Sequence, residues 1–359
     1  MSRFLIGKYQ SLEAYVPGEQ PKGFDLVKLN TNESPYAPAP EVVEVITSTE
    51  VERLRLYSDP ECAQLKETAA EIFGLDKSNF VFSNGSDDIL NFAFMAFAGD
   101  EKTAHFADIT YGFYKVLAQL HSINCNVIPL KEDFSIDVDE YIGLDGLIVV
   151  ANPNAPTGIA LPKSEIERIV ISNPNSVVLV DEAYVDFGGE SCIDLVKKYK
   201  NLVVVMTFSK SRSLAGGRLG FAAADEELIA DINRIRDSMN PYSVNRLTSL
   251  CGVAALKSGD YYKERCALIA EDREFTKAEL EKRGFTVLKS KANFLFAQST
   301  EVDGETLYLE LKKRGVLVRH FTSGRISNFN RITIGTKEQM LRLLSAVDEI
   351  IREINNNKR

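Results

Sequence analysis

The sequence reads as an α/β chain: a large, doubly wound, mostly parallel sheet followed by a smaller α+β unit. Three near-continuous apolar runs, GLIVVANP, SVVLVDEAY and NLVVVMTFS, have the composition of strands buried on both faces. Helical segments such as KSEIERIVIS separate them, as the crossovers of a parallel sheet require. Beyond about Asp225 long helices take over, with short strands between them, which marks a second unit.

Residues 1–30 read as an irregular arm. Pro17, Gly18, Pro21 and Gly23 interrupt any periodicity there, and the arm is expected to pack with the C-terminal unit. In LNTNESPYAPAP, Pro35, Pro38 and Pro40 forbid a helix. Helical patterning begins near Glu41 and resumes after YSDP over Ala63–Phe73. NFVFS is a strand that runs through Asn84-Gly85-Ser86 into the helical DDILNFAFMAFA. KTAHFA, the helical YGFYKVLAQLHS and the strand NCNVIPL continue the alternation, so residues 31–244 form the large α/β domain. Residues 245–359 form the small domain. Its helices VNRLTSLCGVAALKS and DYYKERCALIAEDREFTKAELEKR precede the strands FTVLK and NFLFA, the helix ETLYLELKKR, the strands GVLVRHF and NRITIG, and a final helix. Antiparallel pairing is expected among these strands.

Composition bounds the function. A length of 359 residues favours two domains over one core. Hydrophobic residues at 45% and charged residues at 26% exclude a disordered chain. Lys and Arg number 42 against 51 Asp and Glu, so the overall field does not favour nucleic acid or an anionic membrane. An anionic ligand must be met by a few focused arginines or backbone N–H groups. Cys62, Cys125, Cys192, Cys251 and Cys266 form no CxxC, which fits reduced thiols and a cytoplasmic setting. His105, His121 and His320 are scattered, so no metal site is expected. No N-terminal apolar segment reads as a secretory signal, and no run approaches the ~18 residues of a membrane span.

Four strand ends carry chemistry, and ligands of open α/β sheets sit outside such ends. The first is Ser83-Asn84-Gly85-Ser86-Asp87. A strand turning through glycine into a helix presents N–H groups and a positive dipole end to an anion, and Ser86 or Asp87 can cap the helix. The second is the rigid loop NPNAPTG, Asn152–Gly158. At the third, Asp181 follows four apolar residues and needs a cationic partner, with Tyr184 beside it. At the fourth, Lys210 lies just past a buried strand, among Thr207, Ser209 and the glycine-rich turn before Arg218. A lysine so placed can condense with a carbonyl. Together these ends offer an anion nest, a carboxylate, a phenol and an amine. Pyridoxal 5′-phosphate has the complementary phosphate, pyridine nitrogen, phenolic oxygen and aldehyde.

The stretches LNTNESPYAP, YSDP, NGSDD, YGFY, NPNAPTG, DEAYVDF, TFSKSRSLAGGRLGF, VRHF and NRITIGT resemble, in order over nearly the whole chain, the fold-type I PLP-dependent aminotransferases of the histidinol-phosphate aminotransferase group. The resemblance implies that Lys210 is tethered to the cofactor and shuttles the proton, that Asp181 pairs with the pyridine nitrogen, and that Tyr184 bonds the phenolic oxygen. It implies that Tyr111 stacks on the ring. Gly85, Ser86, Asp87, Thr207, Ser209 and Arg218 are implied to hold the phosphate. It makes Tyr57 a residue that reaches the neighbouring subunit's site, hence a homodimer. One position departs from the group: Ala155 stands where an asparagine usually meets the phenolic oxygen, so either Asn154 replaces it through a shifted loop or Tyr184 acts alone. Tyr15, Asn32, Arg319 and Arg331 are implied in substrate binding, since paired arginines suit phosphate and carboxylate alike. Arg325, between the two arginine-bearing strands, reads as a solvated loop charge.

The implied reaction converts L-histidinol phosphate and 2-oxoglutarate to imidazole acetol phosphate and L-glutamate, in histidine biosynthesis. Rivals on the same skeleton are a threonine-phosphate decarboxylase and an aromatic amino acid aminotransferase. A nicotinamide dehydrogenase would need G-x-G-x-x-G, which Asn84–Ile89 lacks. A non-catalytic regulatory module would carry a basic DNA-binding extension, which the first thirty residues do not resemble, and intact Lys210 argues against it.

Overall fold

The computed structural model describes residues 5–20, 26–99 and 101–357. Pro21 and Gly23, read above as breaks, lie outside the described residues. The fold is α/β. Seven strands make the large sheet: β1 (Phe80–Ser83), β2 (Thr103–Ala107), β3 (Cys125–Ile128), β4 (Gly146–Ala151), β5 (Val177–Asp181), β6 (Leu202–Thr207) and β7 (Gly220–Ala224). Their spatial order is β1-β7-β6-β5-β4-β2-β3, and only β7 runs antiparallel to its neighbours.

Helices cover both faces because both are apolar. In the central strands, alternate residues belong to different cores. Ile148, Val150, Val178, Val180 and Val204 join helices α1 (Ala63–Phe73), α4 (Lys163–Ser172) and α6 (Arg246–Lys257). Leu147, Val149, Leu179, Val203 and Val205 join α2 (Ser86–Phe97), α3 (Phe113–His121) and α5 (Glu226–Met239). The order of strands reverses direction between β2 and β4, which opens a crevice at their carboxyl ends.

A separate core surrounds the small sheet, β8 (Phe285–Val287), β9 (Phe294–Ser299), β10 (Arg319–His320) and β11 (Asn330–Thr333), in the order β10-β11-β9-β8. All its pairings are antiparallel. Helices α7 (Gly259–Glu281), α8 (Gly304–Lys313) and α9 (Lys337–Asn357) supply the rest of this core. Val27–Lys28 pairs in parallel with Val316–Leu317, and Val27 and Leu29 enter the small core. The cores change hands along α7: Tyr262 belongs to the first and Cys266 to the second. Helix α6 contributes to the first core, and the change of core membership falls inside α7.

Candidate active site

The carboxyl ends of the large sheet, the segment Asn30–Glu33 and the edge of the small sheet enclose a cavity of about 590 Å³. Tyr15, Asn32, Ser86, Asp87, Tyr111, Asp181, Tyr184, Thr207, Ser209, Lys210, Arg218, Arg319 and Arg331 all line it. The topology thus gathers residues that the sequence scatters across three hundred positions.

At the end of β1 the chain turns through Gly85 at φ +96°, a conformation that favours glycine. A Cβ on Gly85 would stand 2.6 Å from Arg218 Nη2, so the glycine shapes the wall without lining the cavity. Gly85 is itself the N-cap of α2 and bonds nothing with a side chain; the expected cap by Ser86 or Asp87 is not formed, because both are already inside the helix. The first-turn N–H groups therefore meet no capping side chain. Asp87 instead accepts bonds from Tyr111 Oη at 3.1 Å and Arg218 Nη2 at 3.2 Å.

Asp181 ends β5 between Ala151 and Val205 of the adjacent strands. It is only 5% exposed, and burial pushes its carboxyl up to about 6. Its Oδ2 accepts from Tyr114 Oη at 2.7 Å and its Oδ1 from the Ala183 N–H at 3.2 Å. Both bonds favour the ionised form. Glu182 faces the opposite way, where Ser191 Oγ and the Cys192 N–H both donate to it at 2.6 Å. Burial pushes its carboxyl up to about 7.

At the end of β6, Thr207 Oγ1 accepts the Ser209 N–H at 3.1 Å. Ser209 Oγ is buried without a partner. Lys210 Nζ donates to the Thr31 carbonyl at 3.3 Å and lies 5.8 Å from the Tyr184 ring centroid. Tyr184 Oη accepts from Asn32 Nδ2 at 3.0 Å. Asn32 is held in the left-handed region, φ +56°, by Thr333, whose hydroxyl accepts its N–H and donates to its Oδ1.

Arg319 and Arg331 are direct cross-strand partners on β10 and β11. Neither has a carboxylate within ion-pair distance among the described residues. Arg319 donates to the carbonyls of Val16 and Pro17, and Arg331 Nη2 to that of Asn30 at 3.1 Å. Arg331 Nε is buried and unpartnered, and burial holds its pKa below the usual arginine range. Two adjacent guanidiniums without a countercharge form a receptor for an anion. Tyr15 stands beside them, edge-on to Tyr111 at 5.8 Å, and burial raises both phenols.

Two of the expected residues lie outside this cavity. Asn154 does not line the cavity. Its Nδ2 is spent on the Ile109 carbonyl at 2.9 Å and Thr157 Oγ1 at 3.1 Å, and its Oδ1 on Thr110 at 2.7 Å. It therefore holds the loop and offers no amide to a ligand; Ala155 itself packs with Ala292, Phe294 and Tyr184. Tyr57 is 81% exposed and stacks on Tyr242 at 4.5 Å, away from the cavity. The residue that sequence reading passed over is Tyr114. It lies three positions after Tyr111 in YGFY, in the first turn of α3, and its N–H bonds the Tyr111 carbonyl at 3.1 Å.

The aminotransferase class I and II family model matches residues 25–347. A histidinol-phosphate aminotransferase of Clostridium acetobutylicum is 47% identical over 98% of this chain and 100% of its own length. One of Brachyspira hyodysenteriae is 46% identical with the same coverage. Among solved structures, the histidinol-phosphate aminotransferase of Sinorhizobium meliloti in complex with pyridoxal-5′-phosphate shares the fold, with a TM-score of 0.86, 23% identity and 99% of both chains covered. The L-threonine-O-3-phosphate decarboxylase of Porphyromonas gingivalis does so with a TM-score of 0.78 at 20% identity, covering 91% of this chain and 100% of that one. The fold, the gathered strand ends and near-full-length identity to these relatives agree: the chain belongs to the class I and II aminotransferase family, among its histidinol-phosphate aminotransferases.

Proposed function

We propose that this chain is a pyridoxal-5′-phosphate-dependent aminotransferase that passes the amino group of L-histidinol phosphate to 2-oxoglutarate. The observation that carries the reading is the shared cavity: Lys210 and Asp181 in the large unit, and the unpaired guanidiniums of Arg319 and Arg331 at its rim. Full-length relatives named as histidinol-phosphate aminotransferases support the substrate.

The residues fit the cofactor. Ser209 Oγ is an orphaned hydroxyl, the first turn of α2 is uncapped, and Arg218 stands beside it. Ser86, Thr207, Ser209 and Arg218 would hold the phosphate. When bound, the cofactor supplies an aldehyde for the substrate amine to condense with and a ring that takes up the electron pair left on the substrate Cα. Asp181 would keep a proton on the pyridine nitrogen, and the bonds from Tyr114 and the Ala183 N–H favour its ionised form for that task. Tyr184, oriented by Asn32, would bond the phenolic oxygen. Lys210 Nζ would take the proton from the substrate Cα and deliver it to the carbon of the cofactor's aldehyde group, acting as general base and then general acid. Arg319, Arg331 and Tyr15 orient the phosphate of the donor and a carboxylate of the acceptor. Tyr111 would stack on the cofactor ring.

The chain works as a cytoplasmic homodimer in this reading. Exposed Val43, Ile46, Val51, Leu54, Leu56 and Tyr57 lie within one short stretch, and a second copy would cover them. Tyr57 would then reach the neighbouring cavity. No helix among the described residues is long and apolar enough to cross a membrane. The test is a donor panel with 2-oxoglutarate, together with borohydride reduction and peptide mapping. Transfer from histidinol phosphate and label on Lys210 are expected. Better turnover of phenylalanine, or release of CO2 from threonine phosphate, would overturn the substrate; label elsewhere would overturn the mechanism.

A further inference from the structure

We propose that Arg325 is a latch that fastens the loop between the two arginine-bearing strands to the large unit, and so sets where Arg319 and Arg331 stand over the cavity. The loop joins β10 to β11 and contains Phe321, Ser323, Ile326 and Phe329. In sequence Arg325 is one loop charge among many. In the structure its guanidinium leaves its own unit. Nη1 donates to the Leu130 carbonyl at 2.9 Å, and Nη2 to those of Lys131 at 2.6 Å and Glu132 at 3.4 Å. The guanidinium carbon lies 4.7 Å from the Phe134 ring centroid. All four partners belong to the turn between β3 and β4 of the large sheet. A planar fork can span consecutive carbonyls in this way, and an ammonium cannot.

An apolar seam lies beneath the latch. Ile326 and Phe329 of the loop and Phe296 of β9 pack against Ala107, Leu130 and Phe134 of the large unit. Phe329 stacks on Phe296 at 4.6 Å, and Phe134 meets Phe329 edge-on at 5.4 Å. The same segments reach the cavity. Phe321, Ser323 and Ile326 line it from the small unit, Asp108 and Ile109 from the large one. Asp108 Oδ1 accepts the Leu130 N–H at 2.9 Å, so the latched turn is also tied to the cavity wall. A continuous set of contacts therefore runs from the switch point of the sheet through Arg325 to the loop that carries both substrate arginines at its ends.

Arg325 touches neither cofactor nor reacting atoms here; it is a positioning residue. Loosening it lowers the fraction of molecules whose arginines face the cavity correctly. Every ligand that uses those arginines then weakens by one common factor. Cofactor binding is spared, because Ser86, Ser209, Lys210 and Arg218 all stand on the large unit.

The kinetic part of the test rests on the function proposed above, and the exchange part does not. In the holoenzyme, Arg325→Gln is expected to raise KM for histidinol phosphate and for 2-oxoglutarate together, by about tenfold. Saturated kcat and cofactor affinity stay near wild type, and Arg325→Lys restores only part of the loss. Amide exchange accelerates in residues 130–134 and 321–329 but not in α2. Unchanged KM for both substrates, a rise for one substrate alone, or unchanged exchange in both segments would each overturn the latch. Wild-type protein that transfers from no donor would sink the function and leave the exchange result to decide the latch.

Discussion

Replacing Tyr114 with phenylalanine removes one oxygen from the interior and leaves the ring. The lost group donates to Asp181 Oδ2 at 2.7 Å, inside a site where Asp181 is 5% exposed. Burial pushes the Asp181 carboxyl up to about 6, and the Tyr114 bond is the largest influence opposing that rise. A hydrogen bond to a charged group contributes about 1.5–3 kcal/mol, which moves a titration by about one to two pH units. The variant carboxyl should therefore titrate above wild type by that amount. The sign follows from linkage. A carboxyl whose folded pKa exceeds its unfolded value costs nothing below the unfolded pKa, and its cost is fully present above the folded pKa. At about pH 5 both proteins hold Asp181 mostly protonated, and the variant loses only a neutral hydrogen bond, about 1 kcal/mol. At about pH 8 it loses a further ~1–2 kcal/mol, since its carboxylate is ionised with one donor left. Thermal melts of the cofactor-free protein should show a Tm gap about 1–3 °C wider at the higher pH. A gap independent of pH, or widest in acid, would refute the claim that Tyr114 supports the ionised carboxylate.

Arg331→Ala should lower kcat/KM for a phosphorylated donor by about a hundredfold, the order of losing one partner of a buried charge contact. A neutral donor should lose much less, and equal losses would count against the anion contact. Gly85→Ala forces a side chain onto φ +96° and against Arg218, so cofactor affinity followed by absorbance should fall about tenfold. Unchanged affinity would show that the turn does not shape the phosphate end. Tyr57→Ala should weaken cofactor retention only at concentrations where sedimentation shows a dimer; an equal effect on the monomer would remove the cross-subunit role.

Some of this site was legible because strand ends are local features. A strand of four apolar residues followed by a carboxylate puts Asp181 at the carboxyl end of the sheet wherever the rest of the chain goes. The same reasoning located Lys210 and Gly85. Asn154 defeated it, because adjacency to Ala155 says nothing about which way an amide points. Three loop partners claim that amide, and only the packed loop reveals them. Arg325 misled for a related reason: an exposed loop charge looks solvated until a turn nearly two hundred residues away presents its carbonyls.

Periodicity and punctuation in the amino-acid order thus dictate the alternation of strands and helices, the two-sided burial of the central sheet and the chemical repertoire at its edge. They do so because burial and backbone propensity act over a few neighbouring residues. Long-range closure decided the rest: Tyr114 behind Asp181, Asn32 against Tyr184, the pairing of Arg319 with Arg331, and the passage from one core to the other within α7. Those contacts join segments far apart in the chain, and their geometry exists only after both cores have packed.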